Sequence, residues 1–310
     1  MTRPFGPFNG PNDVEDRVIA EWTGVAGRQV VITGATNGIG LAAAEALGAK
    51  GAKLTLVARS PDKAKNAADR IEAVGGRGIE VVLGDLAIQS EVHRVAAELL
   101  ERYPRIDVLV NNAGAIFATR QRTEDGVEMT WAVNHLAPFL LTSLLVDRLT
   151  ASAPARIVTT ASDAHRGAKG IPFDDLRSDR SYRSRGFARY SESKLANILF
   201  TLEVGRRTQG SGVTAYCFHP GFVATGFNRN NGALMNVGMT LARPFARSPE
   251  KGAETLVWLC ENPDVSAESG GYFQDCKRID ATAAGQDADA ARRLWEVSDS
   301  QVGAVSPAAS

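Results

Sequence analysis

The residues best suited to do chemistry are Tyr190 and Lys194, which lie four positions apart in residues 189–197. On a helix this spacing places both side chains on one face. A phenol titrates near ~10 in water, and a neighbouring ammonium group favours the phenolate and lowers that pKa. We therefore expect a pair that donates and accepts a proton at neutral pH. A surface tyrosine and a solvated lysine are the alternative for an isolated Tyr-x-x-x-Lys.

A second candidate site lies near the start of the chain, where Gly34, Gly38 and Gly40 follow a short β-branched segment, residues 28–33. A helical pattern, residues 41–50, comes directly after them. Glycines allow a phosphate to approach the backbone, and a helix N-terminus offers free N–H groups and positive potential. We expect a nucleotide pyrophosphate here, although the spacing is G-x-x-x-G-x-G rather than G-x-G-x-x-G. An ordinary strand–helix turn is the alternative.

Arg59, which follows the second predicted strand, indicates the type of nucleotide. An Asp or Glu at this place holds the ribose 2′-hydroxyl of NAD, whereas an Arg accommodates the 2′-phosphate of NADP. The nearest acid, Asp62, lies beyond Pro61. The sequence therefore favours NADP(H) over NAD(H), with a surface arginine at a helix start as the alternative.

Polar residues end the other predicted strands. Asp85 either accepts hydrogen bonds from an adenine or caps the next helix. Small polar residues at 111–114 let a ligand approach the backbone. The Ser162 hydroxyl either holds a substrate oxygen or belongs to an ordinary turn. His219, before a proline, is interpreted as structural rather than catalytic.

Strand and helix patterns alternate from residue 30 to residue 273, which indicates a mostly parallel sheet with helices on both faces. The predicted fold is α/β, a Rossmann-like doubly wound sheet of seven strands. We expect an irregular N-terminal arm at 1–26, with a short helix over 14–23, and a single domain at 27–303. The domain includes a substrate lid at about 221–248, and a flexible tail follows at 304–310. Ligands of such sheets bind beyond the carboxyl ends of the strands.

Composition excludes several classes of partner. Lysine plus arginine and aspartate plus glutamate both number 35, so no basic excess suggests nucleic acid or an anionic membrane. No segment approaches the ~18 apolar residues of a membrane span, and the N-terminus lacks the apolar core of a signal peptide. Three scattered cysteines indicate free thiols and no metal site. We expect a cytoplasmic protein that acts on a small molecule.

Taken together, the motifs resemble those of the short-chain dehydrogenase/reductase family over residues 29–303. The segments 33–40, 111–114 and 190–194 occur in the family's order and in the same strand–helix context. The closer resemblance is to the retinol dehydrogenase-like branch. It is carried by the segments 133–136, 193–200, 219–221, 272–277 and 291–298, and by the long interval between Ser162 and Tyr190.

The resemblance implies a catalytic tetrad of Tyr190, Lys194, Ser162 and Asn134. Tyr190 would pass the proton, while Lys194 would lower its pKa and hold the nicotinamide ribose. Ser162 would orient the substrate carbonyl, and Asn134 would hold a water linking Lys194 to solvent. The cofactor-binding residues would be Gly34, Thr36, Asn37, Gly38, Ile39 and Gly40 at the pyrophosphate, Arg59 at the 2′-phosphate, Asp85, Leu86, Asn112, Ala113 and Gly114 on the adenosine side, and Pro220, Gly221 and Val223 with Tyr190 and Lys194 at the nicotinamide.

The chain departs from the branch at Ala137 and Pro138, where the branch often has Gly and His. Pro138 removes a helical N–H and should kink the helix just past Asn134, which either exposes the Asn134 carbonyl or shifts it. Membrane-associated members of the branch carry a hydrophobic anchor, which we do not expect in this protein. Residues 228–245 also have fewer aromatic side chains than the membrane-contacting region of those members.

We expect an oxidoreductase that moves hydride between NADP(H) and a carbonyl or alcohol of an apolar molecule. Apolar residues near the predicted mouth of the site indicate the apolar substrate, since methionine and phenylalanine can repack around varied ligands. The alternative is that they are core residues of a lid helix. These residues are Phe117, Phe222, Phe227, Leu234, Met235, Met239 and Phe245.

Two other functions remain open at this stage: a catalytically idle NADP-binding regulatory protein and a light-dependent reductase of the protochlorophyllide type. Oligomeric state is also open. Family members often form dimers or tetramers through the helices at 124–149 and 190–207, and the predicted kink also leaves a monomer possible.

Overall fold

The computed structural model describes residues 21–180, 182–223 and 246–303. Within them the chain forms one eight-stranded sheet. The predicted helix at 14–23 lies mostly outside the described residues, as do most of the predicted lid and the predicted tail at 304–310. The strands are β1 (Gln29–Thr33), β2 (Lys53–Ala58), β3 (Glu80–Leu83), β4 (Val108–Asn111), β5 (Ala155–Thr160), β6 (Val213–Phe218), β7 (Gly271–Gln274) and β8 (Lys277–Ile279).

The strand order is β3-β2-β1-β4-β5-β6-β7-β8, and all neighbouring pairs are parallel except β7 and β8. β2 and β3 therefore lie on one side of β1, while β4 and all later strands lie on its other side. The strand order thus reverses between β1 and β4. In doubly wound sheets this switch point opens the ligand crevice at the carboxyl ends of the strands. The α/β fold predicted from the alternating pattern is confirmed.

Seven helices surround the sheet in the part of the chain that the structure describes. Helices α3, α4, α5 and α7 contribute to the hydrophobic core on one face, and α1, α2 and α6 contribute to the core on the other. They are α1 (Gly38–Ala49), α2 (Pro61–Ala73), α3 (Gln89–Arg102), α4 (Met129–Ala151), α5 (Phe187–Arg207), α6 (Pro249–Glu261) and α7 (Ala288–Gly303).

The predicted count of seven strands is wrong by one, because the edge strand β8 was not recognised. β8 has three residues, two of them charged, and pairs antiparallel with β7. A strand this short has no alternating apolar pattern, and charged side chains are typical of an exposed sheet edge. The connecting residues Asp275 and Cys276 both adopt left-handed backbone conformations, with φ of 49° and 57°.

The last residues of the predicted arm belong to the core. Trp22 is buried, and its indole ring lies between the guanidinium groups of Arg28 and Arg156, 4.0 and 4.2 Å from the ring centroid. Its indole N–H donates to the Glu261 carbonyl at 3.1 Å. This segment therefore joins the amino end of β1 to the end of α6.

Helix α4 contains a π-helical turn at Ala132–Leu136, which includes Asn134. The Ala137 N–H donates to the Ala132 carbonyl, five residues back. Pro138 has no N–H to continue an α-helical bond to the Asn134 carbonyl, so the irregularity lies where the proline predicts it. By length and composition α4 could cross a membrane, but most of it is buried inside this fold.

The C-terminal helix α7 packs against both α4 and α5. Trp295 stacks on Phe200 of α5 with ring centroids 6.1 Å apart. The buried ring of His135 in α4 is 2.8 Å from the Ser298 hydroxyl, and Trp131 donates to the Gln301 side chain at 3.1 Å. Helix α7 therefore helps to hold in place the two helices that carry the candidate catalytic residues.

A buried ion pair joins the start of α4 to the start of α5. The Glu128 and Arg189 side chains are 0% and 2% exposed, and Arg189 Nε lies 3.0 Å from Glu128 Oε2. The Glu128 carboxylate also accepts the N–H groups of Thr130 and Trp131, which begin α4. Arg189 further donates to the Leu176 carbonyl and to Glu192. The pair thus places the chain immediately before Tyr190.

We predict that Arg189→Met lowers the free energy of unfolding by about 3–5 kcal/mol, because it leaves the Glu128 charge buried and unpaired. Glu128→Gln should cost less, because Arg189 keeps its ion pair with Glu192. The double variant should lose less than the sum of the two. Denaturant unfolding measures the effect. Lys65→Met, which breaks an exposed pair with Asp69, is the control and should leave the free energy of unfolding close to that of the wild type. An Arg189→Met variant as stable as this control would contradict the assignment.

Candidate active site

A cavity of about 1490 Å³ opens at the carboxyl ends of the parallel strands. Residues that follow β1 to β6 line it, together with the first turn of α5. Every candidate site residue named from the sequence lines this cavity except Asn134, which is fully buried behind it.

Tyr190, Lys194 and Ser162 meet in the cavity below its open end. The Ser162 hydroxyl hydrogen-bonds the Tyr190 side chain, and Lys194 Nζ lies 5.7 Å from the centroid of the Tyr190 ring. Lys194 Nζ donates to the Thr160 carbonyl at 2.9 Å, at the end of β5. This contact fixes the ammonium group one helical turn beyond the phenol.

The pKa of Tyr190 moves in the direction opposite to the expected one. Burial raises the pKa of Tyr190 to about 12, and the hydrogen bond with Ser162 opposes that rise only in part. Burial also lowers the pKa of Lys194 to about 8. Both groups lose water, and loss of water disfavours whichever form is charged. At neutral pH Tyr190 is therefore a protonated phenol, a proton donor rather than a base.

Asn134 lies behind the wall of the cavity and stabilises that wall through hydrogen bonds. Its side-chain oxygen accepts the Ala115 N–H at 2.8 Å, and its amide nitrogen donates to the Ala115 carbonyl at 2.9 Å and to Ser193 at 3.0 Å. The Ser193 hydroxyl donates in turn to the Tyr190 carbonyl at 2.7 Å. A Cβ on Gly114 would lie 3.3 Å from Asn134 Oδ1 and 3.4 Å from Lys194 Nζ. Glycine there leaves this polar cluster open to the cavity.

The glycine-rich turn after β1 forms the opposite part of the cavity. Gly34 has a φ of +69°, and a Cβ there would lie 2.7 Å from Ala113 Cα. A Cβ on Gly40 would lie 2.3 Å from Asn112 Nδ2. Only glycine therefore brings the β1 turn this close to the end of β4. Asn37 precedes α1, and its side chain makes no capping hydrogen bond to the helix.

A network that sequence reasoning missed joins the ends of β1, β4 and β5. Thr33 Oγ1 accepts the N–H groups of Asn112 and Ala113 at 3.0 and 3.1 Å. The Asn112 amide donates to the Thr33 and Gly34 carbonyls, both at 3.2 Å, and its oxygen accepts from Thr160 at 3.1 Å. Asn112 therefore holds the glycine turn in place. A threonine at a strand end gave no signal of this role.

Asn197 is a second residue whose role was missed. It lies in α5 one turn after Lys194 and donates to the same Thr160 carbonyl at 3.1 Å. The Thr160 carbonyl accepts from both Asn197 and Lys194, so these bonds link the end of β5 to α5. The spacing of Lys194 and Asn197, three residues apart on one helix, was the available signal.

Arg59 and Asp85 face each other across the nucleotide end of the cavity. Arg59 lies 3.4 Å from Asp85 Oδ2 and is largely exposed. Asp85 Oδ1 accepts the Ala87 N–H at 3.0 Å. Asp85 thus holds its own turn and does not cap the next helix, because α3 begins only at Gln89. It also lines the cavity. Arg59 offers a positive charge that a phosphate could approach from solvent.

The wall near Tyr190 is mostly apolar. Phe117 and Phe222 line it as predicted, while Phe227, Leu234, Met235, Met239 and Phe245 lie outside the described residues. Phe187, one turn before Tyr190, is 48% exposed, and its ring centroid is 6.2 Å from that of Tyr190. Further apolar residues of the wall are Ile116, Met129 and Val133.

His219 has a structural role, in agreement with its interpretation from the sequence. Its Nδ1 accepts the Gly221 N–H at 3.0 Å. The ring also lies beside Tyr272 of β7, with centroids 6.0 Å apart. The histidine therefore holds the turn at Pro220 and Gly221 that lines the cavity.

The residues present fit a nicotinamide dinucleotide. The glycine turn and the N-terminus of α1 form an anion-binding end, and the cavity is larger than the ~300–1,000 Å³ of a pocket for one small ligand. One end of the cavity therefore suits a nucleotide, and the other suits a separate molecule beside Tyr190.

Comparisons with known proteins agree with this geometry. Residues 28–173 match the family model described as short chain dehydrogenase. Mouse retinol dehydrogenase 14 is 39% identical over 96% of this chain and 92% of its own length. A candidate daunorubicin C-13 ketoreductase of Streptomyces sp. strain C5 is 41% identical over 90% of this chain and 94% of its own.

A solved structure shares the fold. A short-chain dehydrogenase from Burkholderia cenocepacia, crystallised with NADP, superimposes with a TM-score of 0.64 and 26% identity over 80% of this chain and 96% of its own. The strand order of the sheet, the Tyr190–Lys194–Ser162 cluster and the length of the sequence matches all indicate the same family. The chain therefore belongs to the short-chain dehydrogenase family, in its retinol dehydrogenase-like branch, and is an oxidoreductase that acts on CH–OH and C=O groups.

Proposed function

We propose that the protein is an NADP(H)-dependent reductase of aldehydes or ketones that carry a substantial apolar group. The observation that carries the proposal is one cavity that has the glycine turn and the exposed Arg59, paired with Asp85, at one end, and a proton donor, Tyr190, among apolar side chains at the other. The presence of Tyr190, Lys194 and Ser162 argues against the idle regulatory alternative. Neither of the two relatives compared above is named for a tetrapyrrole substrate.

The site residues have separate tasks in carbonyl reduction. The Ser162 and Tyr190 hydroxyls, hydrogen-bonded to each other, are placed to orient a substrate carbonyl oxygen between them. Tyr190 donates its proton to that oxygen as negative charge develops on it. Bound NADPH supplies the hydride. Lys194, held by Thr160, keeps a positive charge beside the tyrosine and would hold the ribose of a bound nicotinamide nucleotide. Asn134 holds the wall behind them, and its carbonyl would hold a water that connects Lys194 to solvent.

The apolar side chains near Tyr190 support the proposed substrate class. Phe187 and Phe222 are 48% and 50% exposed and both line the cavity. Exposed aromatic side chains beside a polar centre are typical of sites that bury an apolar ligand and orient it through a few polar groups. The carbonyl would face Tyr190 while the apolar group packs against these rings.

The remaining parts of the proposal concern location and domain organisation. We propose a cytoplasmic protein with a single catalytic domain at 27–303. The three cysteines are free, two of them buried, as expected in a reducing compartment. Cell fractionation with an antibody to the untagged protein tests the location, and recovery in the membrane pellet would contradict it.

The first test is fluorescence titration with NADPH and NADH, followed by turnover of a carbonyl panel with the preferred nucleotide. We expect tighter binding of NADPH and higher kcat/KM for decanal and aryl ketones than for glyceraldehyde or pyruvate. Tyr190→Phe is the matched control: it should bind NADPH normally while kcat falls by roughly 10²-fold or more, because the proton donor is lost.

Three outcomes of this test would contradict the proposal. Binding of neither nucleotide would overturn the assignment of the glycine turn. NADPH binding without turnover of any carbonyl would restore the regulatory alternative. Retention of more than about a tenth of kcat in Tyr190→Phe would exclude Tyr190 as the proton donor.

We predict that Arg59→Asp lowers the ratio of kcat/KM for NADPH to that for NADH by roughly 10- to 100-fold, since a charge-assisted contact contributes about 1.5–3 kcal/mol. Steady-state kinetics with both nucleotides measures the ratio. Arg77→Asp changes net charge equally at an exposed residue outside the cavity and should leave the ratio unchanged. Equal ratios in wild type and Arg59→Asp would place the 2′-phosphate elsewhere.

We predict that kcat/KM for carbonyl reduction falls as the pH rises through about 8. Burial lowers the pKa of Lys194 to about 8, so the ammonium is charged below this pH and neutral above it. Burial raises the pKa of Tyr190 to about 12, so the proton donor stays protonated over the same interval. A pH profile from 6 to 10 in buffers of constant ionic strength measures the decline. A flat profile would show that the Lys194 charge is not needed.

A further inference from the structure

His165 lies three residues after Ser162, in the 3₁₀ turn Asp163–Gly167. Its side chain is completely buried and does not line the cavity. It therefore touches neither substrate nor nucleotide and has no task in the reaction described above. Both ring nitrogens nevertheless contact main-chain atoms of two different segments.

The contacts of the ring fix its tautomer. The Thr282 backbone N–H donates to His165 Nε2 at 3.3 Å, so Nε2 must carry a lone pair. The single ring proton of a neutral imidazole then lies on Nδ1, which is 2.8 Å from the Ser162 carbonyl and donates to it. Burial lowers the pKa of His165, which keeps the ring neutral, as this arrangement requires.

Several hydrogen bonds consequently fix the backbone and the hydroxyl group of Ser162. Its carbonyl accepts both the ring Nδ1–H and the His165 backbone N–H, the latter at 3.1 Å. The Ser162 hydroxyl accepts the Ala164 N–H at 3.2 Å and hydrogen-bonds Tyr190. A rotation of the Ser162 peptide would break the ring contact and move the hydroxyl relative to the phenol.

The segment that contacts His165 Nε2 packs against α5. Thr282 begins the turn Ala283–Gly285, and a Cβ on Gly285 would lie 3.5 Å from both Ile198 and Leu195. The ring also packs edge-on against Tyr272 of β7, with centroids 5.3 Å apart. His165 thus joins the turn that carries Ser162 to a segment packed on the helix that carries Tyr190 and Lys194.

We propose that His165 is a positioning residue, whose neutral ring sets the distance between the Ser162 and Tyr190 hydroxyls by joining the Ser162 carbonyl to the Thr282 N–H. The role of Ser162 in orienting the substrate carbonyl rests on the proposed function. The nucleotide end of the cavity, at Gly34, Gly38 and Arg59, makes no contact with this histidine, so its effect falls on the chemical step.

Two variants separate the two contacts of the ring. His165→Asn places an amide N–H near the position of Nδ1, so it keeps the donor to Ser162 and loses the contact to Thr282. His165→Gln reaches the position of Nε2, so it keeps an acceptor for Thr282 and loses the donor to Ser162. Both introduce an amide of similar size and polarity, which makes each a control for the other.

We expect His165→Gln to lower kcat by on the order of 10- to 100-fold, because small displacements of a reacting group are costly. His165→Asn should keep kcat within about threefold of wild type. KM for NADPH should stay within about twofold in both. A kcat of His165→Gln within about threefold of wild type would overturn the proposal. An equal fall of kcat in both variants, with KM for NADPH raised in both, would indicate general structural damage and would also overturn it.

Amide hydrogen exchange over residues 162–168 gives a readout that does not depend on turnover. Faster exchange in His165→Gln than in His165→Asn supports the contact to Ser162, and equal exchange in the two variants overturns it. Absence of turnover by the wild-type protein on every carbonyl would instead refute the proposed function, and the exchange comparison would still decide the role of His165.

Discussion

The ion pair between Glu128 and Arg189 sets the relation between the two helices on which the active site depends. Isolated charges cannot be buried without a large loss of hydration, so Glu128 requires Arg189, which also pairs with Glu192. The other hydrogen bonds of the pair go to the first N–H groups of α4 and to the Leu176 carbonyl. Once both helix starts are fixed, Asn134 reaches Ser193 and Ala115, and Tyr190 and Lys194 face the ends of the strands.

Burial in the cavity determines the chemistry of the tyrosine–lysine pair more than their mutual attraction does. Loss of water stabilises the neutral forms of both, so the phenol holds its proton and the ammonium gives it up more readily than in water. A protonated phenol beside a cation that is still charged at neutral pH suits delivery of a proton to a carbonyl oxygen.

Local patterns were sufficient to predict the fold and most of the site. Alternating strand and helix patterns gave the parallel sheet, and the segments predicted at 28–33 and 41–50 correspond to β1 and α1. Contacts between residues far apart in sequence were not predictable: Thr33 with Asn112, Glu128 with Arg189, and His165 with Thr282. The direction of the Tyr190 pKa was missed for a related reason, because spacing reveals a neighbouring charge but not the depth at which both groups are buried.

The position of α7 also bears on how copies of this chain could associate. The helices at which family members often pair correspond to α4 and α5, yet His135, Phe200 and Trp131 on these helices already contact α7. Nearly all of α5 from Ser193 to Val204 is buried within a single copy. Movement of α7 away from these helices would expose Trp295 and the buried ring of His135. Helix α7 therefore covers, within one chain, the parts of α4 and α5 that carry His135, Trp131 and Phe200.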